Sequence, residues 1–221
     1  YGTALIDECI EDLKDYSEDS IPVLDNENRL LGVITSASIV DLVDDEMGED
    51  YAKLAGLTAE EDLKEPLKES MKKRLPWLII LLGLGMIVSS VVGVFEKVVT
   101  QLPIIMCFQS LILDMAGNVG TQSLAVTIRV LMDESLTGKQ KFELVLKEMH
   151  IGLCNGGLLG ILSFVLIGLY IFIFKGRTLI FAYAVSGCIG LSLMVAMLIS
   201  SAVGTCIPLF FKKIHIDPAV A

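Results

Sequence analysis

Leu113-Asp-Met-Ala-Gly-Asn-Val-Gly-Thr-Gln-Ser-Leu-Ala125 is a polar run inside an apolar stretch that extends from Leu102 to Met132. Its reading decides the fold. An apolar stretch of this length exceeds the ~20 residues a helix needs to cross the hydrocarbon, and polar or ionisable groups at that depth are costly enough to need a reason. Asp114, Asn118 and Thr121 recur at i, i+4 and i+7, which puts them on one helix face with Gln122 beside them. Such a face either lines an ion path or bonds to neighbouring helices. Asp114, being ionisable, requires a cation, a proton or a basic partner.

Working outward, three more apolar stretches have spanning length: Leu75–Phe95, Ile151–Phe174 and Leu179–Phe211. They give spans at about 75–97, 101–132, 149–174 and 178–211. The second and fourth run past 30 residues and contain polar or Gly/Pro interruptions, so a tilt, a break or a projection beyond the bilayer is expected of both. After the fourth, Asp217-Pro218 reads as the cap and first turn of a fifth helix. Gly156-x-x-x-Gly160, Ser186-x-x-x-Gly190 and Ser200-x-x-x-Gly204 are small-residue spacings that let helices approach closely.

The composition agrees. A chain of 221 residues that is 53% hydrophobic, with a mean hydropathy of +0.68, has more apolar surface than one soluble core of this size can bury. Charge is segregated: residues 1–74 hold 20 acids and 8 bases, the remainder 7 acids and 9 bases. An acidic soluble part therefore precedes a membrane part, and its carboxylates favour cations over nucleic acid or anionic lipid as partners. Nine Lys and Arg flank one side of the spans (72–74, 129, 139, 141, 147, 212 and 213) and three the other (97, 175 and 177), which places the N-terminal part in the cytoplasm. Trp77 is then an interfacial anchor. The five cysteines are dispersed, with no Cys-x-x-Cys pair, and read as buried, inert thiols.

In the acidic part, Ile21–Met47 reads as strand, polar turn, strand and a helix capped near Ser36 or Ser38. Ile6, Ile10 and Leu13 have helical spacing upstream of it. Residues 44–74 form a charged helical connector with acids first (Asp44, Asp45, Glu46, Glu49, Asp50) and bases last, which Pro66 bends or divides. These carboxylates form either a solvated connector or a cluster that binds divalent cations. At the outer end of the first span, Glu96 either collects cations at the mouth or pairs with Lys97. His150 and His215 read as interfacial residues, with no zinc-ligand spacing around them.

Ile21-Pro22-Val23 and Gly32-Val33-Ile34-Thr35 resemble the second half of a CBS module, which senses adenine nucleotides or ions. Nucleotide-binding members have an Asp three residues after the Thr, where this chain has Ser38, which argues against ATP here. The Gly117-Asn-x-Gly-x-Gln-Ser123 run resembles the signature of the MgtE family of magnesium channels. Ala52-Lys-Leu-Ala-Gly-Leu57 is similar to that family's connecting, or plug, helix; Phe95-Glu96 and Asp217-Pro-Ala agree as well. The resemblance divides the chain into a partial CBS-type domain (1–47), a connecting helix (48–74) and a transmembrane pore domain (75–221). The fold class is an α-helical polytopic membrane protein with the fifth span cut short, preceded by an α/β cytosolic segment.

That resemblance implies a Mg2+-selective homodimeric channel of a bacterial inner membrane, with five spans per subunit, a pore on the two-fold axis and a cytosolic part that closes it at high Mg2+. It makes Asp217 the essential pore acid. With no initiator Met, and without the family's usual N-terminal helical domain and first CBS module, the chain reads as part of a longer protein. Two other functions stand beside the channel: a non-conducting membrane-anchored ion or nucleotide sensor, and a proton-coupled divalent-metal transporter with Asp114 as proton site. The lack of a nucleophile–base pair, a phosphate-cradling loop or a His-Glu-x-x-His stretch argues against an enzyme.

Overall fold

A computed structural model describes residues 2–3, 20–57, 64–101, 103–133 and 136–220. The helix expected over Ile6–Tyr16 lies outside the described residues. The chain forms two compact units, Tyr1–Leu78 and Ile79–Ala221.

In the first unit, strands β1 (Ser20–Leu24) and β2 (Leu30–Thr35) pair antiparallel with Ile21 opposite Ile34 and Val23 opposite Gly32. The Asp25 carboxylate closes the intervening turn by accepting the Glu27 and Arg29 N–H groups at 2.8 Å. Asn28 takes the left-handed conformation there (φ 59°), which Asn tolerates better than most residues. Helix α1 (Ser36–Leu54) follows directly. Its cap is Thr35, not Ser36 or Ser38, because the last residue of β2 is already extended (φ −89°, ψ 158°) and its hydroxyl accepts the Ser38 N–H at 3.3 Å.

The end of α1 explains the Ala52–Leu57 signature. Gly56 N–H donates to Lys53 O at 2.8 Å and Leu57 N–H to Ala52 O at 2.9 Å, a Schellman closure that needs a left-handed residue, supplied by Gly56 at φ 77°. A Cβ on Gly56 would also strike the Trp77 indole. The charged connector is thus divided: α1 stops at Leu54 and α2 (Leu67–Val94) begins just past Pro66, whose carbonyl accepts the Glu69 N–H at 2.9 Å. Glu65 and Lys73 form an ion pair of 2.8 Å beside this start.

Helix α2 begins eight residues before the expected span, since its first two turns are polar but good helix formers. None of its described residues is buried. After Phe95 comes the short α3 (Glu96–Gln101), then α4 (Pro103–Asp133), α5 (Gly138–Lys175), α6 (Leu179–Lys213) and a 3-10 turn over Pro218–Val220. Of the tilt, break or projection expected of the second and fourth spans, a break does not occur: α4 and α6 are continuous over 31 and 35 residues. Pro208 falls about one and a half turns from the end of α6, where it removes one helical N–H without ending the helix. α5 starts 11 residues before the third span was expected, held by a capping box in which the Thr137 side chain and Gln140 exchange bonds.

Helix α6 is the centre of this unit and packs along α5 on one side and α4 on the other, while α4 and α5 touch only lightly. The small-residue spacings are where backbones meet. A Cβ on Gly156 would lie 2.9 Å from Met194 Cα, one on Gly160 2.9 Å from Gly190 O, and one on Gly190 2.6 Å from Gly160 O. Around them Ile167, Ile171, Ala182, Val185 and Ile189 form one apolar cluster, and Val119, Leu193 and Met197 a second. Lys212 Nζ donates to Leu131 O and so caps the C-terminal end of α4. Cys107, Cys154, Cys188 and Cys206 are free and exposed, not buried, because each falls off the stripe its helix packs against its neighbours.

Candidate ion-pathway site

The polar run in α4 sorts onto two sides of the helix. Val119, Ser123 and Thr127 are buried towards α6, where Ser123 Oγ and Ser201 Oγ lie 3.0 Å apart and Ser200 Oγ donates to Ala116 O at 2.5 Å. Gly120 is required on this side, since a Cβ there would come 2.5 Å from Ser200 Oγ. Asp114, Asn118, Thr121 and Gln122 are all exposed. Two of them satisfy a donor on their own helix: Asn118 Nδ2 donates to Asp114 O at 2.9 Å, and Thr121 Oγ1 to Gly117 O at 3.0 Å. The Asn118 amide oxygen takes no part in that bond. The face presents a carboxylate, an amide, a hydroxyl and a second amide, all capable of offering oxygen to a hydrated cation.

Asp217 stands on a different element, half-buried at the entry to the 3-10 turn. Its carboxylate accepts the Ala219 N–H at 2.9 Å and its carbonyl the Val220 N–H at 3.2 Å, so the expected capping role is visible. Ala219 is buried, and the turn packs on α6 and α4. Glu96, first residue of α3, is exposed. Of the regulatory set, Asp44 is exposed on α1, and the side chains of Asp45, Glu46, Glu49 and Asp50 lie outside the described residues. Among the described residues no three His, Cys, Asp or Glu side chains converge to hold a metal ion. The His150 ring bonds through Nδ1 to Leu146 O at 2.6 Å.

Glu148 was not anticipated. It lies just ahead of the expected third span (149–174); in the structure α5 extends past it, and it is only 4% exposed. Counting one turn back from Gly152 along the small-residue stripe would have found it.

Comparison with known proteins gives these positions a context. Residues 109–221, from just ahead of the polar run through Asp217, match the family model of MgtE, a divalent cation transporter. The chain belongs to the MgtE family. It is 36% identical over 215 residues to a magnesium transporter MgtE of Enterococcus faecalis, covering 97% of this chain and 45% of that protein. A magnesium transporter MgtE of Bacillus subtilis is 34% identical over 202 residues (91% and 43%), and that of Thermus thermophilus 30% over 212 residues (94% and 44%). The chain thus spans less than half the length of these MgtE relatives. Among the described residues four helices are long and apolar enough to cross a bilayer, in agreement with the membrane location of MgtE proteins.

Proposed function

We propose that this chain carries the pore of a Mg2+ channel that works as a homodimer in a bacterial inner membrane, with the N-terminal part cytoplasmic. The observation that carries the reading is the exposed polar face of α4, with Asp114, Asn118, Thr121 and Gln122 directed away from α6 although the helix is of membrane-spanning length and composition. Lipid is a poor cover for such a face. A second copy related by a two-fold axis gives each group a twin across a polar path.

Mg2+ holds its waters tightly and demands near-octahedral oxygen geometry, so a pore that passes it readily grips the hydrated ion through water. The amide, hydroxyl and carboxylate oxygens of each subunit suit that mode, because they can bind the ion's waters without stripping them. Two copies of Asp217 match the ion's charge of two. In the cytosolic part, Mg2+ that screens Asp44, Asp45, Glu46, Glu49 and Asp50 favours a compact, closed arrangement, and the shift is as large as the difference in ion affinity between closed and open states. Ser38 stands where nucleotide-binding CBS modules carry an Asp, so the proposed regulatory ligand is an ion and not ATP. Glu96 serves the outer mouth.

The test is Mg2+ flux into liposomes that contain the full-length protein, under an imposed membrane potential and with or without a pH gradient. Flux that follows the potential and ignores the pH gradient is expected. Flux that requires the pH gradient would establish the proton-coupled transporter, and no flux in any state the non-conducting sensor.

A further inference from the structure

We propose that the cavity where the end of α1 meets the start of α2 binds the headgroup of an anionic phospholipid, with Arg74 and Trp77 as its contacts. This site rests on the membrane location of the chain and not on ion conduction. Its walls follow from the register of α2. Among residues 67–78 only Ser70, Lys73 and Trp77 are half-buried, and their i, i+3, i+7 spacing makes them one covered face. Glu65 covers that face at Lys73 through the 2.8 Å ion pair, and Gly56 covers it at Trp77, where a Cβ would come 2.5 Å from the indole Nε1. The closing turn of α1 and the residue before Pro66 therefore lie against α2. Beside this contact an open cavity of about 400 Å³ remains, lined by Ala55, Gly56, Leu57, Arg74, Trp77 and Leu78.

The side chains of that lining include a guanidinium and an indole, are otherwise apolar, and carry no carboxylate. A guanidinium grips a phosphate through paired N–H groups, and an indole suits the headgroup level because its ring is apolar and its N–H polar. The depth agrees: Arg74 is the last residue before the apolar stretch Leu75–Phe95, and Leu78 lies within it. A phospholipid matches a wall that is apolar save for one cation, whereas a free anion would leave Trp77 and Leu78 uncovered. A zwitterionic headgroup would bring an ammonium that no acid of the lining could receive. The acidic balance of the N-terminal part is also reversed here, since residues 67–78 hold Lys68, Lys72, Lys73 and Arg74 against Glu69 alone. A basic run beside a span attracts anionic lipid. A lipid on these walls touches both helices and so ties the closing turn of α1 to the first span.

The experiment is quenching of Trp77 fluorescence in the full-length protein, its other tryptophans replaced by Phe, in phosphatidylcholine bilayers that contain a small fraction of brominated phosphatidylglycerol or, separately, of brominated phosphatidylcholine. The brominated phosphatidylglycerol should quench at about fivefold lower mole fraction, the effect of one basic side chain at an anionic surface. Arg74→Gln should abolish that preference, while Lys72→Gln, outside the cavity lining, should keep most of it. Ala55→Leu narrows the cavity without changing its charge and should weaken the preference; this variant decides the matter if Arg74→Gln does not fold. Inorganic phosphate added at millimolar concentration should leave the quenching unaltered. Equal quenching by the two lipids in wild type, equal losses in Arg74→Gln and Lys72→Gln, a full preference in Ala55→Leu, or fluorescence restored by inorganic phosphate would overturn the proposal.

Discussion

Gly56 concentrates two requirements in one residue, since its φ of 77° is left-handed and its missing Cβ leaves room for the Trp77 indole. Gly56→Val should therefore lower stability by about 1–3 kcal/mol, the usual cost of a bulky residue held in that region, before any collision is counted. Adding Trp77→Ala relieves the collision alone, so the double variant should be less destabilised than the sum of the two single changes, as read by thermal unfolding. Asn118 acts at the same scale: Asn118→Ala removes an amide oxygen that takes no part in the bond to Asp114 O, and Mg2+ flux should fall about tenfold, a loss of ~1.4 kcal/mol at the barrier. Unaltered flux would take Asn118 off the ion path. The Asn118 face was legible in the sequence because helical spacing alone separates it from Gly120 and Ser123. The capping role of Asp217 was equally legible, from the Asp-Pro order at a helix start. Thr35 was not, because three hydroxyl residues within four positions compete for one cap, and the end of β2 decides among them.

The element scale is governed by backbone contact between α5 and α6. A Cβ on Gly190 would sit 2.6 Å from Gly160 O, and a carbonyl in a packed helix cannot yield as a side chain can. Gly190→Leu should accordingly prevent the pair from closing and leave little folded protein in detergent, whereas Ser201→Ala, which breaks the bond to Ser123 Oγ, should cost only about 0.6 kcal/mol, the average for a hydrogen bond between membrane helices. Denaturant titration of the two variants separates the cases, and equal losses would contradict the view that the backbone contact dominates. Four spans were visible from hydropathy, yet α2 and α5 begin 8 and 11 residues before the expected starts. Hydropathy marks where lipid begins, not where hydrogen bonding in a helix begins; the caps at Pro66 and Thr137 mark the latter. The same gap hid Glu148, and it also made α4 and α6 look interrupted, although Gly120 and Ser200 serve close packing without breaking either helix.

For the whole molecule, the polar face of α4 and the bias of nine cations to three predict how subunits and membrane are arranged. In a background without native cysteines, Gln122→Cys should form a disulfide between two subunits on oxidation, while a cysteine on the exposed α5 residue Leu158 should not; monomers throughout would argue against a pore on the dimer axis. The most direct test of the central claim is Mg2+ flux through full-length wild type and Asp217→Asn in liposomes, at low and high Mg2+ on the side of the N-terminal part. Wild type should conduct at low Mg2+ and close at high Mg2+, and the folded Asn variant should lose nearly all flux in both. Flux through Asp217→Asn equal to that of wild type would contradict the assignment of Asp217 to the ion path.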